Sequence, residues 1–291
     1  MKFGAPENIN QLDDLDLSLP PDHPSNHQFL NGKRKDVKVF VGCSVWGQDP
    51  WVGDVYPEGT KKKDYLQEYI KHFNCIELNS TFYNIKKDNM LSWAQKAKGH
   101  NFKYCPKFNR RISHLKRLKE VEDVTEYFAN MCFEFGDNLG MSFLQVPENF
   151  SSKYLERVKG YLELLPKDFP VAIELRHPSW FEDDFDDTFN MLSEAGAVAV
   201  ITDTAAKRSI IHQRLSTDKA FIRFAAYELH PTNYKRLDEW AKRLTYWIEQ
   251  GISEIYFFSK QEDETYAPRQ ADYFIKKLNE LAGLQLKSPY A

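Results

Sequence analysis

The chain has 291 residues, enough for the full core of a β/α barrel, which often forms one domain at this size. Hydrophobic residues make up 42% and charged residues 28%, the ordinary balance of a soluble globular protein. A formal net charge of −3 argues against a general nucleic-acid or acidic-membrane surface, while a local basic site stays open.

Met1 to Gln11 has no basic region followed by an apolar core, so a secretory signal is not expected. The longest apolar stretch, Ala195 to Ile201, is far too short to span a bilayer. The four cysteines, Cys43, Cys75, Cys105 and Cys132, are widely spaced and include no C-x-x-C pair. That is the pattern of reduced thiols in a cytoplasmic protein. Residues 1–36 form a polar leader, with Asp13, Asp14 and Asp16, then Pro20, Pro21, Pro24 and Gly32, then a charged run to Asp36. Such a segment is expected to be disordered or to pack on the outside of the domain that follows.

From Val37 onward short apolar runs alternate with helical patterns. The expected strands are Val37–Gly42, Cys75–Asn79, Phe102–Cys105, Met141–Val146, Val171–Arg176, Ala197–Thr202, Ala220–Phe224 and Glu254–Phe258. The clearest helix places Leu237, Trp240, Ala241, Leu244 and Ile248 on one stripe, with Lys235, Asp238, Glu239 and Lys242 facing away. Other helices are expected over Lys61–His72, Asn89–Lys98, Leu118–Phe135, Lys153–Leu165, Asp184–Glu194 and Arg269–Leu281, and a short helix or loop after Asp203. Eight strands alternating with helices give a parallel sheet, and right-handed crossovers close it into a TIM-type barrel spanning 37–291. A doubly wound open sheet is the runner-up, but Cys43-Ser44-Val45-Trp46 after the first strand is no dinucleotide fingerprint.

Strand alternation then sorts the polar residues. Branched apolar Val171, Ile173 and Leu175 should face helices, which turns Glu174 and Arg176 into the barrel. By the same logic Cys75, Glu77 and Asn79 face inward, as does Arg223. Lys107 follows the third strand, Gln145 lies late in the fourth and Asp203 ends the sixth. All of these should converge at the carboxyl ends of the strands, where barrel sites are built. Two readings stand for any one of them. Glu174 with Arg176 and Glu77 with Arg223 can neutralise each other as structural ion pairs, or the set can line a ligand site. Six strands with polar ends are hard to account for without a ligand. Trp46, Trp51, Tyr56, Phe82, Tyr83, Trp180 and Phe181 follow strands and can wall the pocket, although loop packing is the ordinary role of each. His177 and His114 lie in loops at that end, and His177, followed by Pro178, can carry a proton or shape the turn. The cysteines read as small core residues.

These same residues resemble the domain of unknown function 72 family, also called YecE-like. The resemblance rests on Gly42-Cys43-Ser44 with Trp46, Trp51-Val52-Gly53, Tyr56-Pro57 and Glu77-Leu78-Asn79-Ser80-Thr81-Phe82-Tyr83. It continues through Lys107, Ile112-Ser113-His114, Gln145-Val146-Pro147, Glu174-Leu175-Arg176-His177-Pro178-Ser179-Trp180 and Asp203-Thr204. It implies a β/α barrel and no established activity. Two departures stand out: Arg223-Phe224-Ala225-Ala226 where the family usually shows Arg-x-His-Gly, and Ser259-Lys260 where an Asn commonly follows the eighth strand. If the replaced His or Asn carries the family's chemistry, this member has altered or lost it.

Three functions remain open. The first is a cofactor-independent enzyme on a small polar or anionic substrate, with Glu77, Glu174 and His177 as acid and base. Asn79, Tyr83, Lys107, Gln145, Arg176, Asp203 and Arg223 would hold that substrate. A phosphate after the last two strands would rely on Lys260 and Arg223, since those loops hold no glycine. The second is a metal-dependent hydrolase or isomerase using Glu77, Glu174, Asp203 and His177, opposed by the neighbouring cations. The third is a nucleotide or single-strand binding module using Arg110, Arg111 and the basic segment to Lys119. No resident cofactor is expected.

Overall fold

A computed structural model describes residues 9–33, 36–182 and 186–291 of the chain. The start of the helix expected at Asp184, and residues 1–8 and 34–35 of the leader, lie outside the described residues. Among the described residues eight parallel strands run β1 Lys38–Cys43, β2 Cys75–Leu78, β3 Lys103–Pro106, β4 Ser142–Gln145, β5 Val171–Glu174, β6 Val198–Asp203, β7 Lys219–Ala225 and β8 Glu254–Lys260. The helices are α1 Tyr65–His72, α2 Ser80–Tyr83, α3 Lys87–Ala97, α4 Glu122–Phe133, α5 Leu155–Leu162, α6 Asp186–Glu194, α7 Pro231–Glu249 and α8 Ala267–Ala282.

The strands follow the order β3-β2-β1-β8-β7-β6-β5-β4, so the two ends of the sheet are consecutive in the chain. They meet across a seam of two isolated bridges, where Gly140 N donates to the Tyr104 carbonyl (2.7 Å) and Phe108 N to that of Phe143 (3.0 Å). The result is a nearly closed TIM-type barrel. Its interior is filled by Phe40, Cys75, Phe143, Ala172, Val200 and Phe221, among others, with small side chains set against large rings as a tapering barrel requires. All four cysteines are buried and free.

The outer layer follows the expected stripes. Leu237, Trp240, Ala241, Leu244 and Ile248 of α7 are fully buried, while Lys235 and Lys242 are exposed. The fourth helix begins later than periodicity suggests. Arg117, Leu118 and Glu120 adopt positive φ (52°, 64° and 53°), which no helix interior accommodates. Leu118 N instead closes onto the Ile112 carbonyl (2.9 Å) at the end of a π-helical turn over Arg111–Leu115. After β6 the chain makes only a short 3₁₀ segment, Ala205–Ile210.

Residues 9–33 lie against α7 and the β6–β7 connection. Asn26 bridges that connection, donating to the Gln213 carbonyl and accepting from Leu215 N (both 2.8 Å). Asp22 accepts the Trp247 indole N–H (2.7 Å), and Arg243 donates to the Pro20 carbonyl (3.0 Å). Among the described residues no helix is long and apolar enough to cross a membrane.

Gly42 is required by a close approach. A Cβ there would stand 2.1 Å from the Cys75 carbonyl oxygen, its ladder partner on β2. Gly42→Ala should therefore cost about 1–3 kcal/mol, read as a lower urea midpoint. An unchanged midpoint would show that the two strands can part freely.

Candidate functional site

Alternation along three strands brings opposite charges together inside the barrel. Phe221, Cys75 and Ala172 face the interior, so Arg223, Glu77 and Glu174, two residues further on, face it one layer higher. Arg223 lies between the two carboxylates. Its Nε and Nη2 donate to Oε2 and Oε1 of Glu77 (both 2.7 Å), and its Nη1 donates to Oε2 of Glu174. The second oxygen of Glu174 accepts from Arg176 Nε (2.6 Å). Asn79 Nδ2 donates to Oε1 of Glu77 (2.8 Å), and Lys260 Nζ is 3.9 Å from the same oxygen.

Both glutamates are fully buried, and burial by itself pushes their carboxyls up. The cations reverse that. Arg223 and then Lys260 hold Glu77 well below the ordinary carboxylate range, and Arg176 with Arg223 brings Glu174 down to about 2. Both are ionised at neutral pH. Fork-to-fork geometry is what offsets the cost of desolvating so many charges in one layer.

Above this layer opens a cavity of about 370 Å3. Arg223 and Arg176 form its floor, Lys107 and Gln145 one wall, and Lys260 and Glu264 the other. Lys107 Nζ donates to Gln145 Oε1 (2.6 Å) and stands 4.6 Å from the centre of the Phe82 ring. Burial, with Arg223 nearby, lowers the Lys107 ammonium to about 7. Glu264 moves the other way: burial raises its carboxyl to about 7, against the pull of Lys260 and of hydrogen bonds from Ser44 Oγ and Gln261 N (3.2 Å). It sits at φ 61°, in the left-handed region that costs a non-glycine residue about 1–2 kcal/mol. The Trp51 indole N–H holds its carbonyl there (3.0 Å). His114, in the π-helical turn, is lowered to about 4 by burial and then by Lys107 and Arg176, so its ring is neutral at pH 7.

Asn79, Tyr83, Lys107, Gln145, Arg176 and Arg223 all line this cavity. The other candidates need correction. Glu77 and Glu174 do not line the cavity: they flank Arg223, ionised and bonded on both oxygens, which makes them counter-ions where an acid and a base were expected. Asp203 is on the opposite face of β6, since Val198 and Val200 point inward and the alternation carries Asp203 out. There it accepts from Arg208 Nη1 (2.5 Å), Arg236 Nε (3.2 Å) and Trp240 Nε1 (2.8 Å), with Arg236 Nη2 ion-paired at 2.7 Å. His177 shapes its turn: its Nδ1 accepts from Ser179 N (3.1 Å) and caps the 3₁₀ turn Pro178–Trp180. Accordingly the four residues of the metal reading do not meet. Among the described residues no three His, Cys, Asp or Glu side chains are placed to hold one ion. Of the aromatics, Phe82 and Tyr83 line the cavity, whereas Trp51 and Trp180 are fully buried in packing.

A family model described as "Protein of unknown function DUF72" matches residues 40–290. The chain belongs to the DUF72 family. It is 26% identical to the UPF0759 protein YecE of Escherichia coli K12 over an alignment of 251 residues that covers 79% of this chain and 89% of that one. It is 25% identical to the UPF0759 protein YunF of Bacillus subtilis 168, over 57% of this chain and 60% of that one. A crystal structure of a DUF72 family protein from Thermotoga maritima MSB8 superposes with a TM-score of 0.64 at 25% identity, covering 83% of this chain and 99% of that one. A DUF72 structure from Enterococcus faecalis V583 also reaches 0.64, at 17% identity, covering 86% and 97%.

The cavity is also lined by two residues to which the sequence pattern assigns no role. Ser44 was visible only as part of a motif, and Glu264 not at all. Glu264 follows β8 in an irregular turn with Gln261, Glu262 and Asp263, where no alternation marks one acid from the next. At the two departures from the family pattern, Ala225 and Ala226 are buried and Ser259 Oγ donates to Gln270 (3.3 Å).

Proposed function

We propose that the cavity binds a small anionic metabolite and that the protein is a cofactor-independent enzyme acting on it by proton transfer. The observation that carries this reading is the floor: two guanidinium groups, held in place by buried carboxylates, in a cavity whose walls add Lys107 and Lys260. Cationic donors fixed in a partly dehydrated pocket are what a carboxylate or phosphate needs. A volume near 370 Å3 suits a ligand of small-metabolite size. Within the pocket the proton-transfer roles pass from Glu77, Glu174 and His177 to Lys107 and Glu264, whose values near 7 match the working pH.

Thermal unfolding in inorganic phosphate, pyruvate and citrate tests the binding step. An anion present at about 100 times its Kd should add about 2.7 kcal/mol and raise the Tm by roughly 5 °C. The Lys107→Met, Lys260→Met double variant should lose the rise. If none of the three anions moves the wild-type Tm, the reading fails.

A further inference from the structure

The anion reading says what the pocket holds. The placement of Lys107 says what it does next. We propose that Lys107 is a covalent catalyst that condenses with the carbonyl of a small 2-oxo acid to form a Schiff base. The inference rests on the anion-pocket reading, because the carboxylate of the oxo acid is what the other cations would hold.

Three features of the geometry lead there. Lys107 follows β3 directly, and its backbone is fixed on both sides: Lys107 N donates to the Leu78 carbonyl (3.1 Å), and its own carbonyl accepts the Thr81 hydroxyl (2.7 Å). Its side chain then runs into the cavity over apolar surface, between the Phe82 and Phe143 rings at 4.6 and 5.6 Å. Its one hydrogen bond to another side chain among the described residues is to the neutral amide of Gln145, so no carboxylate forms an ion pair with it. A lysine meant only as a fixed positive charge is usually paired. One placed on rings beside other cations is disposed to lose its proton and become a nucleophile.

The charged groups facing it make the same point. Arg223 and Lys260 disfavour its protonated form, Glu174 and Glu77 favour it, and burial tips the balance toward the free amine. In the step itself the amine nitrogen attacks the carbonyl carbon, and its proton moves to the oxygen to give a carbinolamine. The hydroxyl leaves as water after gaining a second proton, and the nitrogen lone pair completes a cationic imine. Atoms and charge balance without oxidant or cofactor. The second proton comes from the Glu264 carboxyl on the facing wall, which burial raises to about 7 and which Ser44 Oγ holds by a hydrogen bond. The imine draws electrons from the neighbouring carbon, so the reaction class served is proton exchange or carbon–carbon bond change beside the carbonyl.

Borohydride reduction in the presence of pyruvate, and separately of glyoxylate, followed by peptide mass spectrometry, tests this. The reduced carboxyalkyl group should appear on Lys107 at more than about ten times its level on any other lysine, with exposed Lys276 as the internal standard. Its yield should climb through about pH 7 and then level. Lys107→Arg, which keeps the charge but cannot form an imine, should lose the label. If pyruvate raises the Tm but labels only exposed lysines, the Schiff-base inference falls and the anion pocket stands. If neither oxo acid labels Lys107 and no anion moves the Tm, both fall.

Discussion

Arg223→Met should lower stability at neutral pH by about 3–5 kcal/mol or more, enough to leave much of the protein unfolded. Arg223 supplies three donors to Glu77 and Glu174, and all three side chains are buried. Removing it takes from Glu77 its bidentate partner, leaving Asn79 and the more distant Lys260, and takes one of two guanidinium partners from Glu174, while burial pushes both carboxyls up. The sign of the pH response follows. In the wild type both carboxyls lie below their unfolded values, so their contribution is complete above about pH 4.5 and disappears as pH falls toward 2. In the variant, burial without its counter-ion raises at least Glu77 above its unfolded value. Acidification toward pH 5 should then restore part of the loss, so that the gap between variant and wild type narrows. Urea unfolding at pH 5 and pH 8 measures both effects. A variant with a wild-type midpoint at pH 8 would mean that the charge layer contributes nothing.

The second large effect is expected at Asp203, for a different reason. Asp203→Ala removes the acceptor shared by Arg208, Arg236 and Trp240, and leaves Arg236 buried without its carboxylate. A loss of about 3–5 kcal/mol follows from stranding such a charge. Because Asp203 faces α7 and not the cavity, the Tm increment produced by phosphate or pyruvate should persist in whatever fraction folds. The change should also loosen the leader, since Arg208 donates to the Leu17 and Ser18 carbonyls (3.1 and 2.6 Å). Limited proteolysis before and after the substitution reports that directly. Unchanged stability with a lost anion response would return Asp203 to the pocket.

Much of the site was readable because strand alternation is a rigid rule. Once Ile173 and Ile76 are assigned to the helix side, Glu174 and Glu77 must face inward, and they do. The rule also explains the failure at Asp203: read as the end of β6, it was placed by proximity to the site and not by parity with Val200. His177 failed for a local reason, because a residue before Pro178 can spend its ring on capping the turn, and here Ser179 N donates to that ring. Glu264 was illegible because its position depends on a left-handed backbone, the Trp51 indole and Ser44, partners more than two hundred residues away in the chain.

The sequence by itself determined the barrel and the inward set at its carboxyl end. Period-two and period-3.6 patterns are local, and burial on one face is enough to enforce them. Only the tertiary structure decided which charges neutralise one another. A carboxylate is an acid, a base or a counter-ion according to what lies within about 3 Å of it. For Glu77 and Glu174 that neighbour is Arg223, brought from a strand far along the chain, whereas burial leaves Lys107 and Glu264, in the cavity, with values near 7.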